Sequence, residues 1–203
     1  TIDGGYIIAG EREENWNYSV WLIKTDSEGN EEWNETLGSG GYDIAKSVQE
    51  ITPGYGIQGG YIIIGSTNSY GAGGMDVWLI KTDTEGNEEW NKTFGTEGTE
   101  GGYSIAKTTG AGYIITGSTT SEDGAGGDDV WLIKTDGYGN EEWNQTFGGV
   151  SNDIGYSAQQ TYDDGYIITG STRSFGAGGY DALLIKTDSE GNQEWSQVFN
   201  GGD

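Results

Sequence analysis

Apolar residues in this chain come in short runs, and the runs recur. Tyr61-Ile62-Ile63-Ile64 and Val77-Trp78-Leu79-Ile80 are rich in β-branched and aromatic side chains and are bounded by Gly-rich punctuation. That is the signature of strands. No apolar pattern of helical period extends over ten residues. The stretch around these runs predicts four short strands, near residues 44–51, 61–67, 76–82 and 88–94. Between the last two, Lys81-Thr-Asp-Thr-Glu-Gly-Asn-Glu-Glu-Trp90 reads as a hairpin in which Gly86 supplies a positive φ.

The same pattern recurs along the chain. A stretch L-I-K-T-D, then a turn G-N, then E-W, appears four times, ending at Trp33, Trp90, Trp143 and Trp195. These residue numbers differ by 57, 53 and 52, the spacing of a supersecondary unit stacked on copies of itself. The third strand is apolar on both faces, Val77 and Leu79 on one and Trp78 and Ile80 on the other. A sheet with one wet face would alternate apolar with polar. Burial on both sides of a repeated four-stranded unit is what a β-propeller blade requires. The predicted fold is therefore all-β: four antiparallel blades of about 53 residues. A stacked β-solenoid is the rival. The blades span residues 1–40, 41–101, 102–150 and 151–203, one continuous array, with the four repeat tryptophans as buried inter-blade packing residues.

The run Asp-x-x-Gly-Asn-x-x-Trp-x-x-x-x-Gly stands at positions 26–38, 83–95 and 136–148; the copy at 188–200 ends in Asn instead. It resembles the tryptophan-docking repeat of the quinoprotein-like (PQQ-like) β-propellers, with a turn one residue shorter than in the quinone-dependent enzymes. The wider pattern D-G-G-Y-I-I-x-G, S-T-x-S-x-G-A-G-G-x-D and L-I-K-T-D is similar to repeats of large secreted or surface proteins of archaea and bacteria. The resemblance covers the whole chain and implies a fold. It does not imply the quinoprotein activity, because no quinone-site residue or adjacent cysteine pair of those enzymes maps onto a position here. Propellers carry many unrelated functions.

The opening Thr1-Ile-Asp-Gly-Gly-Tyr6 leads directly into a second strand, so the first blade is expected to lack its innermost strand. Asn200-Gly-Gly-Asp203 stops where another first strand would begin. Propellers usually close by pairing strands from opposite ends of the chain. Three arrangements follow: part of a larger ring of seven or eight blades, a four-bladed ring with one short blade, or completion by another chain.

Charge narrows the partners. With 33 acidic and 9 basic residues the formal net charge is −24. Attraction to nucleic acid or anionic lipid needs basic patches, so neither is expected. No run of residues is long and apolar enough for a transmembrane helix. Cysteine is absent, which removes disulfides and thiol chemistry. Histidine is absent too, and with it the commonest general base and zinc nitrogen ligand. Paired acids can hydrolyse glycosides. Here, however, they recur from blade to blade (Glu31-Glu32, Glu88-Glu89, Glu141-Glu142), whereas a catalytic site needs an asymmetric set. No catalytic residue and no cofactor-binding residue is expected.

Three residue sets merit a functional reading beside a structural one. Asn17, Asn34, Asn91 and Asn144 head Asn-x-Ser/Thr acceptors, the last three directly after a repeat tryptophan on the predicted outermost strand. A glycan there would reach solvent and obstruct edge pairing; an unmodified strand asparagine is the plain alternative. Asp76, Asp129 and Asp181 close the Gly-rich loops 66–76, 118–129 and 171–181. They either ligate calcium with loop carbonyls or tie the loops back through backbone N–H groups. Lys24, Lys81, Lys134 and Lys186 follow an apolar strand. They either pair with a carboxylate such as the adjacent turn aspartate or form a ring of cations for an anionic ligand.

The expectation is a non-catalytic extracellular module of a glycosylated cell-surface, filament or adhesin-type protein, whose partners are other copies or surface proteins. The alternative is a propeller that binds carbohydrate or a small ligand through loops at one end, with Trp16, Tyr70 and Phe175 as exposed aromatics. An enzyme stands a distant third.

Overall fold

The computed structural model describes residues 1–53, 58–120 and 126–200. Of the sequence features above, the middle of the loop 118–129 and the terminal 201–203 lie outside the described residues. The chain forms β-strands throughout: β1 (Tyr6–Glu14), β2 (Asn17–Thr25), β3 (Glu31–Leu37), β4 (Asp43–Ile51), β5 (Gly60–Thr67), β6 (Asp76–Thr82), β7 (Glu88–Phe94), β8 (Glu100–Lys107), β9 (Tyr113–Thr120), β10 (Asp128–Thr135), β11 (Glu141–Phe147), β12 (Asp153–Gln160), β13 (Tyr166–Thr172), β14 (Asp181–Thr187) and β15 (Gln193–Phe199). They make four antiparallel sheets in chain order: β1-β2-β3, β4-β5-β6-β7, β8-β9-β10-β11 and β12-β13-β14-β15. The first sheet has three strands, and β1 stands at its inner edge. The third sheet begins at Glu100, so a blade boundary at 101/102 falls inside β8. Glu100 holds the place that Asp43 and Asp153 hold at the head of their sheets.

Successive sheets pack face to face. β1 and β2 meet β4, β5 and β6 meet β8, and β9 and β10 meet β12. One seam buries Val20, Leu22 and Leu37 against Tyr61, Ile63, Trp78 and Ile80. The next buries Ile62, Ile64, Val77 and Leu79 against Tyr113, Ile115, Trp131 and Ile133. The third buries Ile114, Val130 and Leu132 against Tyr166, Ile168, Leu183 and Ile185. Alternate residues of each interior strand thus serve opposite neighbours, which is why β5 and β6 are apolar on both faces and buried along their whole length. The result is a propeller-like array whose sheets do not close into a ring. Its two terminal faces are open to solvent.

Inner strands touch one another near the axis. Gln49 Nε2 donates to the Ile105 carbonyl (2.6 Å), and Lys107 Nζ to the Glu50 carbonyl (2.9 Å). Each first strand slips one residue against its neighbour, between Ala45 and Ser47, Gly102 and Ser104, and Gly155 and Ser157. The bulge pushes a carbonyl at the neighbouring strand, where only glycine leaves room. A Cβ on Gly65 would lie 1.8 Å from the Ile44 carbonyl oxygen, and one on Gly117 1.9 Å from that of Gly101. Gly10, at the same place in β1, has nothing within 4 Å.

Candidate functional site

Three repeated arrangements carry the polar and aromatic chemistry of this chain. The first surrounds the lysines. Lys24, Lys81, Lys134 and Lys186 are buried, and each ammonium reaches across its hairpin to Glu32 (2.6 Å), Glu89 (2.7 Å), Glu142 (2.6 Å) or Glu194 (3.0 Å). Each also donates to the carbonyl of the next residue, as Lys81 does to Thr82 at 2.6 Å. Lys24 and Lys186 gain a second carboxylate, Asp3 at 2.8 Å and Asp163 at 3.0 Å. Burial works against the charge of Lys24, yet the bonds to Asp3 and Glu32 outweigh it and hold its pKa above the usual lysine value. Hydrogen bonds from Thr161 and Lys186 depress the Asp163 carboxyl to about 2.

The partner is therefore the second glutamate of each Glu-Glu pair (Gln-Glu in the last blade), not the turn aspartate. Asp26 is occupied with its own turn: Oδ1 accepts from the Glu28 and Asn30 backbone N–H groups, and Oδ2 from Asn30 Nδ2. Asp83, Asp136 and Asp188 repeat this, and all four carboxyls sit below the ordinary value.

The second arrangement is at the opposite end of the blades, where third and first strands begin. Asp76 accepts from the Ala72 N–H (3.0 Å) and Asp181 from the Ala177 N–H (3.1 Å), so each ties back its Gly-rich loop. The acids heading the first strands tie the links between blades: Asp43 accepts from Ser39, Glu100 from Thr96 and Asp153 from Gly149. Acids of adjacent blades meet at these points. A Cβ on Gly148 would lie 1.9 Å from Asp129 Oδ1 and 2.9 Å from Asp153 Oδ2, and Gly95 separates Asp76 from Glu100 in the same way. Burial, then the charge of Asp153, raises the pKa of Asp129; burial raises that of Asp76, with Glu100 adding to it. Oδ1 of Asp129 and of Asp153 are buried without a hydrogen-bond partner. Among the described residues no three or more acids gather as a metal-holding group.

The third arrangement is the tryptophan seat. Trp33, Trp90 and Trp143 lie half-buried on the turn glycine of the following blade. A Cβ on Gly86, Gly139 or Gly191 would lie 2.7 Å from Cζ3 of the respective indole. These glycines have φ of +87°, +76° and +82°, so the position demands glycine twice over. The side chain two residues after each tryptophan lies over the same glycine: Glu35, Lys92 and Gln145. Trp33 and Trp143 also meet Tyr61 and Tyr166 at 5.8 and 5.6 Å between ring centroids. Trp195 differs from the expected four equivalent buried positions. No other sheet among the described residues faces it, and it is 42% exposed.

The deepest indoles are those of the third strand, Trp78 and Trp131. They also define the asparagines. Asn34, Asn91 and Asn144 each accept an indole N–H at Oδ1, from Trp21, Trp78 and Trp131, and donate from Nδ2 to Glu31, Glu88 and Glu141. Asn34 and Asn144 are exposed and Asn91 half-buried, while the exposed Asn17 accepts from the Gly41 N–H. That structural role was not legible, because the indole partner lies thirteen residues upstream across a hairpin. Of the loop aromatics, Trp16 is 90% exposed on the two-residue β1–β2 turn, Tyr70 leans on Trp78 and Phe175 is half-exposed. Clefts of about 550 and 540 Å³ open along the seam between the second and third sheets, one beside Asp129 and Thr120, the other beside Trp90 and Lys107.

No helix among the described residues is long and apolar enough to cross a membrane. Comparison with protein-family models and with curated proteins finds no match to the chain.

Proposed function

We propose that this chain is a non-catalytic structural and interaction module of a glycosylated cell-surface or filament protein, of the PQQ-like repeat type. The observation that carries the reading is the identical use of the reactive-looking side chains in every blade. All four buried lysines are bound to the same hairpin glutamate, and all four turn aspartates hold their own turns. Groups consumed by a repeated fold serve that fold. The sequon asparagines are compatible with glycan, since modification takes one Nδ2 hydrogen and leaves the other for the neighbouring glutamate. The test is labelling of intact cells that make the protein, with intact mass measured before and after deglycosylation. Surface label and a mass decrease are expected. Label seen only after permeabilisation would overturn the surface role, and an unmodified mass would overturn the glycan.

The calcium expectation now rests on Asp129 with Asp153, whose unpartnered oxygens are hard donors. Calcium is expected to raise the melting temperature of the wild-type chain but not of Asp129→Asn. A second reading, carbohydrate binding, is favoured by the exposure of Trp16 and Phe175 on loops at one end of the blades. Loss of glycan-array signal in Trp16→Ala would support it over the first.

A further inference from the structure

We propose that the last blade of one copy docks face to face on the first blade of a second copy, with Trp195 seated on Gly29. This deepens the interaction-module reading and rests on it. The chain contains three filled seams that define what a seam requires: on the forward face an indole and apolar strand residues, on the rear face a turn glycine, a tyrosine, apolar strand residues and the inner strand β4, β8 or β12. Its two terminal faces supply these parts except the inner strand, which the three-stranded first sheet does not have. On the forward face of the last blade, Ile167, Ala182, Leu184, Trp195 and Phe199 occupy the places of Ile114, Val130, Leu132, Trp143 and Phe147 in the blade before it. Those five pack into the third seam, whereas Trp195 and Phe199 are 42% and 58% exposed.

The rear face of the first blade is the matching socket. Tyr6 and Ile8 hold the places of the buried Tyr61 and Ile63 but are 58% and 49% exposed. Trp21 and Ile23 lie beside them, in register with Gly10 and Ile8. Gly29 has the seat geometry, with φ +86°, yet nothing lies within 4 Å of where its Cβ would be. Every other seat glycine carries an indole. Gln197, two residues beyond Trp195, corresponds to the Gln145 that covers Gly191. Tryptophan face and empty seat differ from each other, so the contact is head-to-tail: it leaves a free face at each end and either extends or closes into a ring. Both copies carry the net charge of −24, so salt should strengthen the contact by screening.

Sedimentation velocity of the 203-residue chain, over a concentration series at low and high salt, is the test. Wild type should associate, more so at high salt. Trp195→Ala and Ile8→Asp, each altering an exposed residue on a different face, should weaken association by about tenfold or more, as loss of a central anchor does. Each variant retains one intact face, so mixing the two should restore a 1:1 pair and nothing larger. A wild-type monomer at every concentration and salt would overturn the proposal, whether Trp195 is open to oxidation or protected by closure on its own first blade. Failure of the mixed variants to pair would also overturn it, because it would mark a symmetric contact. Cell-surface labelling is independent of these outcomes, so failure here leaves the module reading standing.

Discussion

Trp143 and Trp195 stand at the same register position, opposite Lys134 and Lys186 in the hairpin, yet only the first has a blade to lean on. Trp143→Ala should therefore cost about 2–4 kcal/mol, at or below the usual range for a buried tryptophan because the ring is only partly covered. Trp195→Ala should stay within about 0.5 kcal/mol in the monomer. Urea unfolding of both variants at low concentration checks the contrast. The carboxylates predict a stability optimum on the acid side of neutrality. Asp129 and Asp76 have folded pKa values above the usual 3.8. They take up protons more readily folded than unfolded, so stability rises as pH falls through that window. Asp163, held at about 2, and the four depressed turn aspartates act in the opposite sense. Their contribution is complete above 3.8 and is lost as pH falls below it. The melting temperature should climb as pH falls towards the usual aspartate value and drop once pH passes below it, and Asp129→Asn should flatten the climb.

Strand positions were largely legible in the sequence because two independent signals agree there. The two-faced apolar run predicted residues 76–82 and the hairpin motif 88–94, the limits found for β6 and β7. Flat segments with weak contrast were less clear: the head of the third blade, Glu100-Gly-Gly-Tyr103, reads as a link because two glycines dilute the strand pattern. Contacts that depend on register across blades were not legible at all. The partner of Lys81, the indole held by Asn91 and the meeting of Asp129 with Asp153 each require knowing which strand lies opposite which. The glycine of the second strand is a similar case: its recurrence is visible, its cause is the bulge of the strand beside it. Gly117→Ala should destabilise by more than about 2 kcal/mol because backbone must move. Gly10→Ala, with open space around it, should be neutral or stabilising by up to about 1 kcal/mol. Paired thermal melts would reveal the difference.

The whole molecule is an acidic array, and its charge opposes its own compactness. A net charge of −24 on 203 residues makes self-repulsion a standing term, which added salt should screen. Sodium chloride between 0.05 and about 1 M should raise the melting temperature of the monomeric Trp195→Ala variant, which removes association from the reading. A melting temperature that fell with salt would instead assign the dominant role to the four lysine–glutamate pairs. Stability should otherwise grow as a sum over blades and seams, since the main contacts between sheets of the described residues join neighbours in chain order.

The indole on the turn glycine also makes the blade a unit of inheritance. Because every seam uses the same two parts, a recombination event that joins one tryptophan to the residue after another tryptophan removes a whole blade and rebuilds a seam. Excising residues 91–143 would place Trp90 directly before Asn144 and bring it over Gly191, with Ile62 and Leu79 facing Tyr166 and Ile185. The shortened gene should encode a folded three-sheet protein with a somewhat lower melting temperature and an undiminished β-sheet circular dichroism per residue. Cutting a length a few residues longer or shorter than the repeat should give an unfolded chain. Lineages carrying this sequence can thus lengthen or shorten the array by copying errors alone, without inventing a contact.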